Sequence, residues 1–430
     1  MRPVFGILHR WIGLTTAGFL FVAGVTGALI SWSHEIDKLL NPHLMKATEL
    51  GAPIASLELA RQVEVRDRRV RVTFIPLVAE PGESLAISVQ PRVDSATGRL
   101  YGLDYDQVFL DPATGEELGR RQYGVAWPIN NETLVPFLYV LHYSLHIPEF
   151  WGIDRWGLWF MGGIAILWTF DCFVGFYLTL PARRAARADR AASVQRQLSR
   201  GWWSRWMPAW KIKQSGSAYR INFDIHRAFG LWTWLLLFIL AFTAFSLNLY
   251  REIFYPVMSV VSQVTPSLFD SPAPNDSNQP IEPRIDFAEV IEKARTEGHK
   301  RGWKEPVGAV FYNAVYGVYG ALLYKSGNED GNFGFGPARL YYDGRDGRYL
   351  GDHVPWQGTA ADIFVQAQLP LHSGRILGLP GRILVSLMGL IVAALSVTGV
   401  VIWYRKLAAR TSVKGRVKAP RKRRLDAPAE

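Results

Sequence analysis

Histidine is the residue of this chain best suited to metal or redox chemistry, since there are nine histidines and a single cysteine, Cys172. The histidines stand at positions 9, 34, 43, 142, 146, 226, 299, 353 and 372, and four of them recur at matched places. His9-Arg10-Trp11-Ile12-Gly13-Leu14 returns as His226-Arg227-Ala228-Phe229-Gly230-Leu231, and Leu141-His142 returns as Leu371-His372. Each of the four lies beside the end of an apolar segment. A lone interfacial histidine is ordinarily a tolerated polar group, but one type repeated at both ends of both halves points to a shared task. A neutral imidazole is the commonest metal ligand, and a b-type haem takes one on each axial face. His9 with His226, and His142 with His372, would then hold two b-type haems, one near each face of a membrane.

Two further histidines compete for the outer position, His34 and His146. His146 follows His142 by four residues, so on a continuous helix both would face one way, with Pro148 ending that helix. His43, His299 and His353 read as ordinary surface residues. Asp171 is the one acid inside an apolar segment, and intramembrane carboxylates pair or serve proton traffic. It is expected to accept a hydrogen bond from a Trp or Thr neighbour, or a proton from a quinol. Trp159, Trp168, Trp232 and Trp234 read as interface-belt or helix-packing residues.

Four segments must position these side chains: Trp11 to Ser33, Trp156 to Ala182, Ala228 to Tyr250 and Ile383 to Tyr404. Each reaches the roughly 20 residues needed to cross a hydrocarbon core. The first is read as an uncleaved span, because no small-residue cleavage site follows it. The formal net charge of +11 would suit a nucleic-acid binder, but only 20% of residues are charged and there are 16 Trp and 23 Phe. Lys and Arg collect in residues 1–10, 183–227 and 405–430, whereas acids outnumber bases in 34–155 and 251–382. The excess of Lys and Arg near span ends places both termini in the cytoplasm and both long loops outside. The basic segment Arg183 to Lys213, with Trp202, Trp203, Trp206 and Trp210, is read as lying on anionic headgroups rather than on nucleic acid.

The expected fold is a membrane α-helical protein with four transmembrane helices from an internal duplication, and two periplasmic α+β domains. The boundaries are 1–33, first span; 34–155, first outer domain; 156–182, second span; 183–227, basic cytoplasmic loop; 228–250, third span; 251–382, second outer domain; 383–404, fourth span; 405–430, basic tail. Alternating apolar residues in Arg69 to Ile75, Ser84 to Val89 and Val307 to Tyr324 predict strands. Helical spacing marks Ala55 to Val65 and Phe287 to Gly298. Asp111-Pro112-Ala113-Thr114-Gly115-Glu116 and Asp343-Gly344-Arg345-Asp346-Gly347-Arg348 read as matched tight turns, Asp111 capping and Gly115 supplying a positive φ. Pro266 to Pro283 reads as an extended linker, and the tail from Lys414 as disordered. With one cysteine, neither a disulfide within a domain nor a thiolate haem attachment is available.

Leu8-His9-Arg10-Trp11-Ile12-Gly13-Leu14, Glu35-Ile36-Asp37, Asn41-Pro42, the Asp-Pro-x-Thr-Gly-Glu turn and the Leu-His before each return span together resemble the PepSY-associated transmembrane family. The resemblance implies periplasmic PepSY-like domains and a bacterial inner-membrane location. Some members are similar to di-haem reductases that release iron from ferric siderophores, so it also implies two haems and a ferric siderophore or other ferric chelate as substrate. A loop of 45 residues is too short for a nicotinamide or flavin domain, so a reductase of this kind would draw electrons from a quinol, a reduced flavin or a separate reductase. The alternative is a non-enzymatic membrane-anchored PepSY protein that binds or restrains a periplasmic peptidase or senses a ligand. No catalytic side chain is assigned; the Tyr-rich strand Phe311 to Tyr324 and Arg339 are possible substrate contacts that a packed sheet face would explain equally well.

Overall fold

A computed structural model describes residues 1–49, 51–181, 201–270 and 274–418, with side chains to residue 411. The basic segment 183–200, the end of the tail and residues 271–273 of the linker lie outside the described residues. In chain order the helices used below are α1 (Arg2–Ile30), α2 (Ser33–Leu40), α3 (Ser56–Arg66), α4 (Asn131–Ser144), α5 (Trp156–Thr179), α6 (Ala218–Trp232), α7 (Trp234–Asn248), α8 (Phe287–Lys300), α9 (Ala360–Gln366), α10 (Gln368–Ser373) and α11 (Leu379–Lys418). The strands are β1 (Val70–Pro76), β2 (Leu85–Pro91), β3 (Gln107–Leu110), β4 (Glu117–Arg121), β5 (Val307–Asn313), β6 (Val318–Leu323), β7 (Ala338–Asp343) and β8 (Tyr349–His353).

Among the described residues, three helices are long and apolar enough to cross a membrane, α1, α5 and Leu379–Thr411 of α11, and α6 with α7 make a fourth candidate bent by 70°. The apolar window from Ala228 to Tyr250 is therefore not one straight span. At the break, the Thr233 hydroxyl donates to the Phe229 carbonyl, a back-bond that bends helices. The flanking indoles are tied to different partners, Trp232 to the Trp210 carbonyl and Trp234 to the Cys172 carbonyl. On the near side, α6 carries Arg220, Asn222, Asp224 and Arg227; on the far side, α7 is apolar nearly throughout.

The chain forms two compact units, one of residues 1–25, 163–242 and 388–430, the other of residues 26–162 and 243–387. In the first, Gly24 lets α1 approach α11 closely, for a Cβ there would fall 2.5 Å from the Gly389 carbonyl. Arg2 donates to the carbonyls of Leu178 and Leu180 at the end of α5, where unpaired carbonyls favour a cation. Trp206 and Ala209 pack with Leu231, Phe176, Leu180 and Trp210, so part of the Trp-rich segment is packing while Trp203 stays 68% exposed.

The second unit holds one antiparallel sheet of eight strands in the order β4-β3-β2-β1-β5-β6-β7-β8. The two outer loops thus supply two four-stranded halves of one sheet, each preceded by a helix, α3 or α8. The halves join where β1 meets β5, through Phe74 with Phe311, Ile75 with Val310 and Pro76 with Ala309. Both helices bury their apolar sides in a single core that includes Leu59, Val63, Ile75, Val290, Ala294 and Val310. Val307 to Tyr324 is a hairpin rather than one strand, turning through Gly317 at φ +68°. Its Tyr312 and Tyr319 pack in that core with ring centres 4.5 Å apart and planes tilted by 43°, so packing accounts for them.

The two tight turns have one geometry. Asp111 N–H donates to the Glu116 carbonyl and Gly115 N–H to Asp111; Asp343 N–H donates to Arg348 and Gly347 N–H to Asp343. Gly115 and Gly347 take φ of +73° and +68°. The Asp111 carboxylate also accepts from the backbone N–H groups of Thr48, Glu49, Ala113 and Thr114 and from the Thr48 hydroxyl. At the far end of β4, Asp37 of α2 accepts from Arg121 and from Asn41, and Asn41 also donates to the Asn131 carbonyl at the start of α4. The ion pair is buried, with side chains 7% exposed on both partners.

Removing one partner of a buried pair strands the other charge, so Asp37→Ala should destabilise the protein by about 3–5 kcal/mol, measured by thermal unfolding in detergent, with the double variant Asp37→Leu, Arg121→Met milder than Asp37→Ala. Burial pushes the Asp111 carboxyl up, but the hydrogen bonds from Thr48, Glu49 and Ala113 outweigh it and hold the group well below the usual carboxylate range. A depressed folded value means that its stabilisation is complete above the unfolded value of about 4 and fades as pH falls below that. Asp111→Asn should therefore lower the melting temperature at pH 7 and flatten its decline between pH 5 and 3; an unchanged acid slope would contradict this.

Candidate functional site

The structure brings four histidines together as two pairs, one in each unit. In the first unit, His9 of α1 and His226 of α6 have ring centres 6.1 Å apart at an interplanar angle of 55°. His9 Nδ1 donates to the Asp171 carboxylate of α5, at 2.9 and 3.0 Å from its two oxygens. His226 Nδ1 lies 3.0 Å from the Thr398 hydroxyl of α11. That hydroxyl donates to the Ala394 carbonyl, which leaves its oxygen to accept from the ring and assigns the proton to Nδ1 of His226. Asn222, one turn before His226, donates to the Thr398 carbonyl and fixes α6 against α11.

In the second unit, His142 of α4 and His372 of α10 have ring centres 6.0 Å apart at 52°. His142 Nδ1 is 3.1 Å from the Thr26 hydroxyl of α1, and His372 Nδ1 is 2.9 Å from the Thr243 hydroxyl of α7. The helices carrying these rings are short and are anchored by polar contacts. Asn130 caps α4 in a capping box with Thr133, and Asn248 of α7 donates to the Tyr143 carbonyl. Ser246, three residues beyond Thr243, donates to Gln368 of α10.

Room for the rings comes from glycine. A Cβ at Gly27 would fall 2.9 Å from His142 Cε1, one at Gly399 3.2 Å from His226 Cε1, and one at Gly175 3.5 Å from His9 Cε1. Two of these glycines follow the threonines directly, in Val25-Thr26-Gly27 and Val397-Thr398-Gly399. That repeated Val-Thr-Gly in the first and last apolar helices is the sequence signal that reveals the partners, and histidine spacing alone does not find it. Asp171 has His9 as its partner, in place of the Trp or Thr expected.

His34 and His146 are not brought into either pair. His34 is exposed on α2, with Nε2 3.3 Å from Glu83. Helix α4 stops at Ser144 because Leu145 and His146 take φ of +56° and +52°, so the expected helical alignment of His142 with His146 does not form. His146 instead stacks on Phe137 at 4.6 Å and bonds through Nε2 to the Phe137 carbonyl. His43 bonds to Glu132, and His353 is half-buried on β8 rather than at the surface.

The sequence pattern of the PepSY-associated TM region matches residues 7–406. The chain belongs to this family. Comparison with curated proteins gives no match. The PepSY-associated region contains all four paired histidines and their oxygen partners.

Chemically, an Nδ1 held by an oxygen directs Nε2 to a metal. An imidazole bound at about 2.0 Å puts its ring centre about 3 Å from the metal, so two rings on opposite sides have centres about 6 Å apart. Both pairs have that separation. Two imidazoles are too few for a bare ion, which takes four or more ligands, and among the described residues no group of three or more His, Cys, Asp or Glu is arranged for one. Each pair could supply two imidazole nitrogens to a metal that arrives with its other ligands already bound.

Gly27→Ala should turn the His142 ring off Thr26 and cost about 1–3 kcal/mol through overpacking. Gly18→Ala, where a Cβ meets nothing within 4 Å, should be neutral or stabilising. Thermal unfolding of the two variants side by side checks this, and equal melting temperatures would contradict it.

Proposed function

We propose that this protein is a haem-b electron-transfer protein of the bacterial inner membrane, in which electrons enter on the cytoplasmic side and leave on the periplasmic side to a ferric chelate, a ferric siderophore being the expected form. The observation that carries the reading is the matched pair geometry: two imidazole pairs with ring centres 6.1 and 6.0 Å apart, every Nδ1 held by a side-chain oxygen. His9 and His226 would hold one haem, and His142 and His372 the other. A bound haem supplies reversible one-electron chemistry at its iron.

The residues of this chain do the holding and orienting. Thr398 fixes the His226 tautomer, Thr26 and Thr243 orient the outer rings, and Asp171 orients His9. Gly27, Gly175 and Gly399 leave space beside three of the four rings. The charge distribution supports an orientation with both termini cytoplasmic, which puts His9 and His226 on the inner side and His142, His372 and the eight-stranded sheet on the periplasmic side. The repeated helix and four-stranded order of the sheet's halves, with identical turns at Asp111 and Asp343, supports an origin by duplication.

Purified from haem-replete cells, the protein should show a Soret band, a split α-band on dithionite reduction, and two haems per chain by pyridine haemochrome. His9→Ala and His226→Ala should each remove the same haem and spare the other, as should His142→Ala and His372→Ala. Colourless protein would sink the reading in favour of a non-enzymatic PepSY protein. If His9→Ala removed the haem that is lost with His142→Ala, the pairing would be wrong. Stopped-flow reoxidation of the reduced protein by a panel of ferric siderophores tests the substrate class.

A further inference from the structure

We infer that Asp171 is a positioning residue that sets the reduction potential of the His9 and His226 site below that of the His142 and His372 site, giving electrons a downhill direction outward. The inference rests on the haem reading above. All four paired rings have a side-chain oxygen at Nδ1, but the oxygens are of two kinds. His226, His142 and His372 face threonine hydroxyls at 3.0, 3.1 and 2.9 Å. His9 faces a carboxylate, with both oxygens within 3.0 Å.

The difference has a definite electronic sign. A carboxylate that accepts the ring N–H makes the imidazole more basic toward its metal. Its negative charge also favours the oxidised, more positive metal, and it does so more strongly away from water. The Asp171 side chain is 13% exposed. Among the described residues it forms no ion pair with Lys or Arg. Asp224, two residues from His226, is different: it is fully buried but paired with Arg220 at 3.0 Å and Arg227 at 2.8 Å, so two guanidiniums more than offset its charge on its own helix. A carboxylate without a cation, on one axial ligand of one site, is the asymmetry that separates the two potentials.

The test is a spectroelectrochemical titration of the full-length chain carrying His372→Ala, which leaves the inner haem alone. Asp171→Asn should raise its reduction equilibrium constant at least tenfold, about 59 mV for one electron. Thr169→Val, which removes an uncharged hydroxyl from the same helix and leaves Asp171 in place, should change the constant less than threefold. Equal midpoints with and without Asp171→Asn overturn the inference. Should Asp171→Asn lose its haem, Asp171→Thr restores the hydroxyl partner of the other three rings and is read in the same way; loss of haem there too assigns Asp171 to holding the ring alone and overturns the tuning role. Wild-type protein with no Soret band fails at the haem reading itself, a result separate from two bound haems of equal potential.

Discussion

An imidazole that is to present one nitrogen must have the other held, and in an apolar helix there is no water to hold it. The arrangement of this chain follows from that constraint. Each of the four apolar helices contributes one oxygen to one ring: Thr26 from α1, Asp171 from α5, Thr243 from α7 and Thr398 from α11. A threonine hydroxyl suits the position because it can return its own proton to a carbonyl one turn back, as Thr398 does to Ala394, and so leaves no unsatisfied group in the bilayer. Beside Thr26 and Thr398 the following glycine is the steric counterpart: a Cβ there would fall 2.9 Å from His142 Cε1 or 3.2 Å from His226 Cε1.

His142 and His372 impose a second requirement, since α4 and α10 are too short to be positioned by a membrane. Their support is polar and comes from the domain. Asn41 joins the buried Asp37–Arg121 pair to the first carbonyl of α4, so the edge strand β4 and the helix carrying His142 share one network. Such a pair contributes little net stability compared with an apolar substitute. What it adds is direction, because the guanidinium fork and the carboxylate satisfy each other in a narrow range of geometries. Glu35, Asp37, Asn41 and Pro42 belong together for this reason: Arg382 holds Glu35, Arg121 holds Asp37, and Pro42 opens the turn that follows.

Much of this was legible in the sequence, and the rest was hidden for physical reasons. The four histidines, the long apolar segments, α3, α8 and the capped turn at Asp111 follow from repetition, apolar length and local hydrogen-bonding chemistry. The joining of two four-stranded halves was not legible, because the β1 to β5 seam pairs strands more than 200 residues apart and leaves no local periodicity. The bend at Thr233 was hidden because hydropathy averages over a window, while the bend depends on one hydroxyl and two indoles. His146 was misplaced by assuming that α4 continues to Pro148; two residues in the left-handed region end it earlier, the first of them a leucine, a type with no preference for that region. Thr26 and Thr398 escaped notice because a threonine in an apolar helix reads as packing until a ring is known to face it.

The four paired histidines also differ in what carries them. His142 and His372 sit on short helices, and His226 sits on α6, whose Arg220, Asn222, Asp224 and Arg227 give it a polar side. His9 alone is carried by a helix that qualifies as a span by itself. A polar ring is cheaply placed on a helix that already tolerates polar groups, whereas on an apolar span its N–H must find a strong acceptor or go unsatisfied at a cost of several kcal/mol. A carboxylate is the strongest acceptor available to a side chain, and it is His9 that receives one. The position that needs the firmest hold is thus also the one that acquires a negative charge, so in this fold the mechanical and electrostatic roles of Asp171 have a single origin.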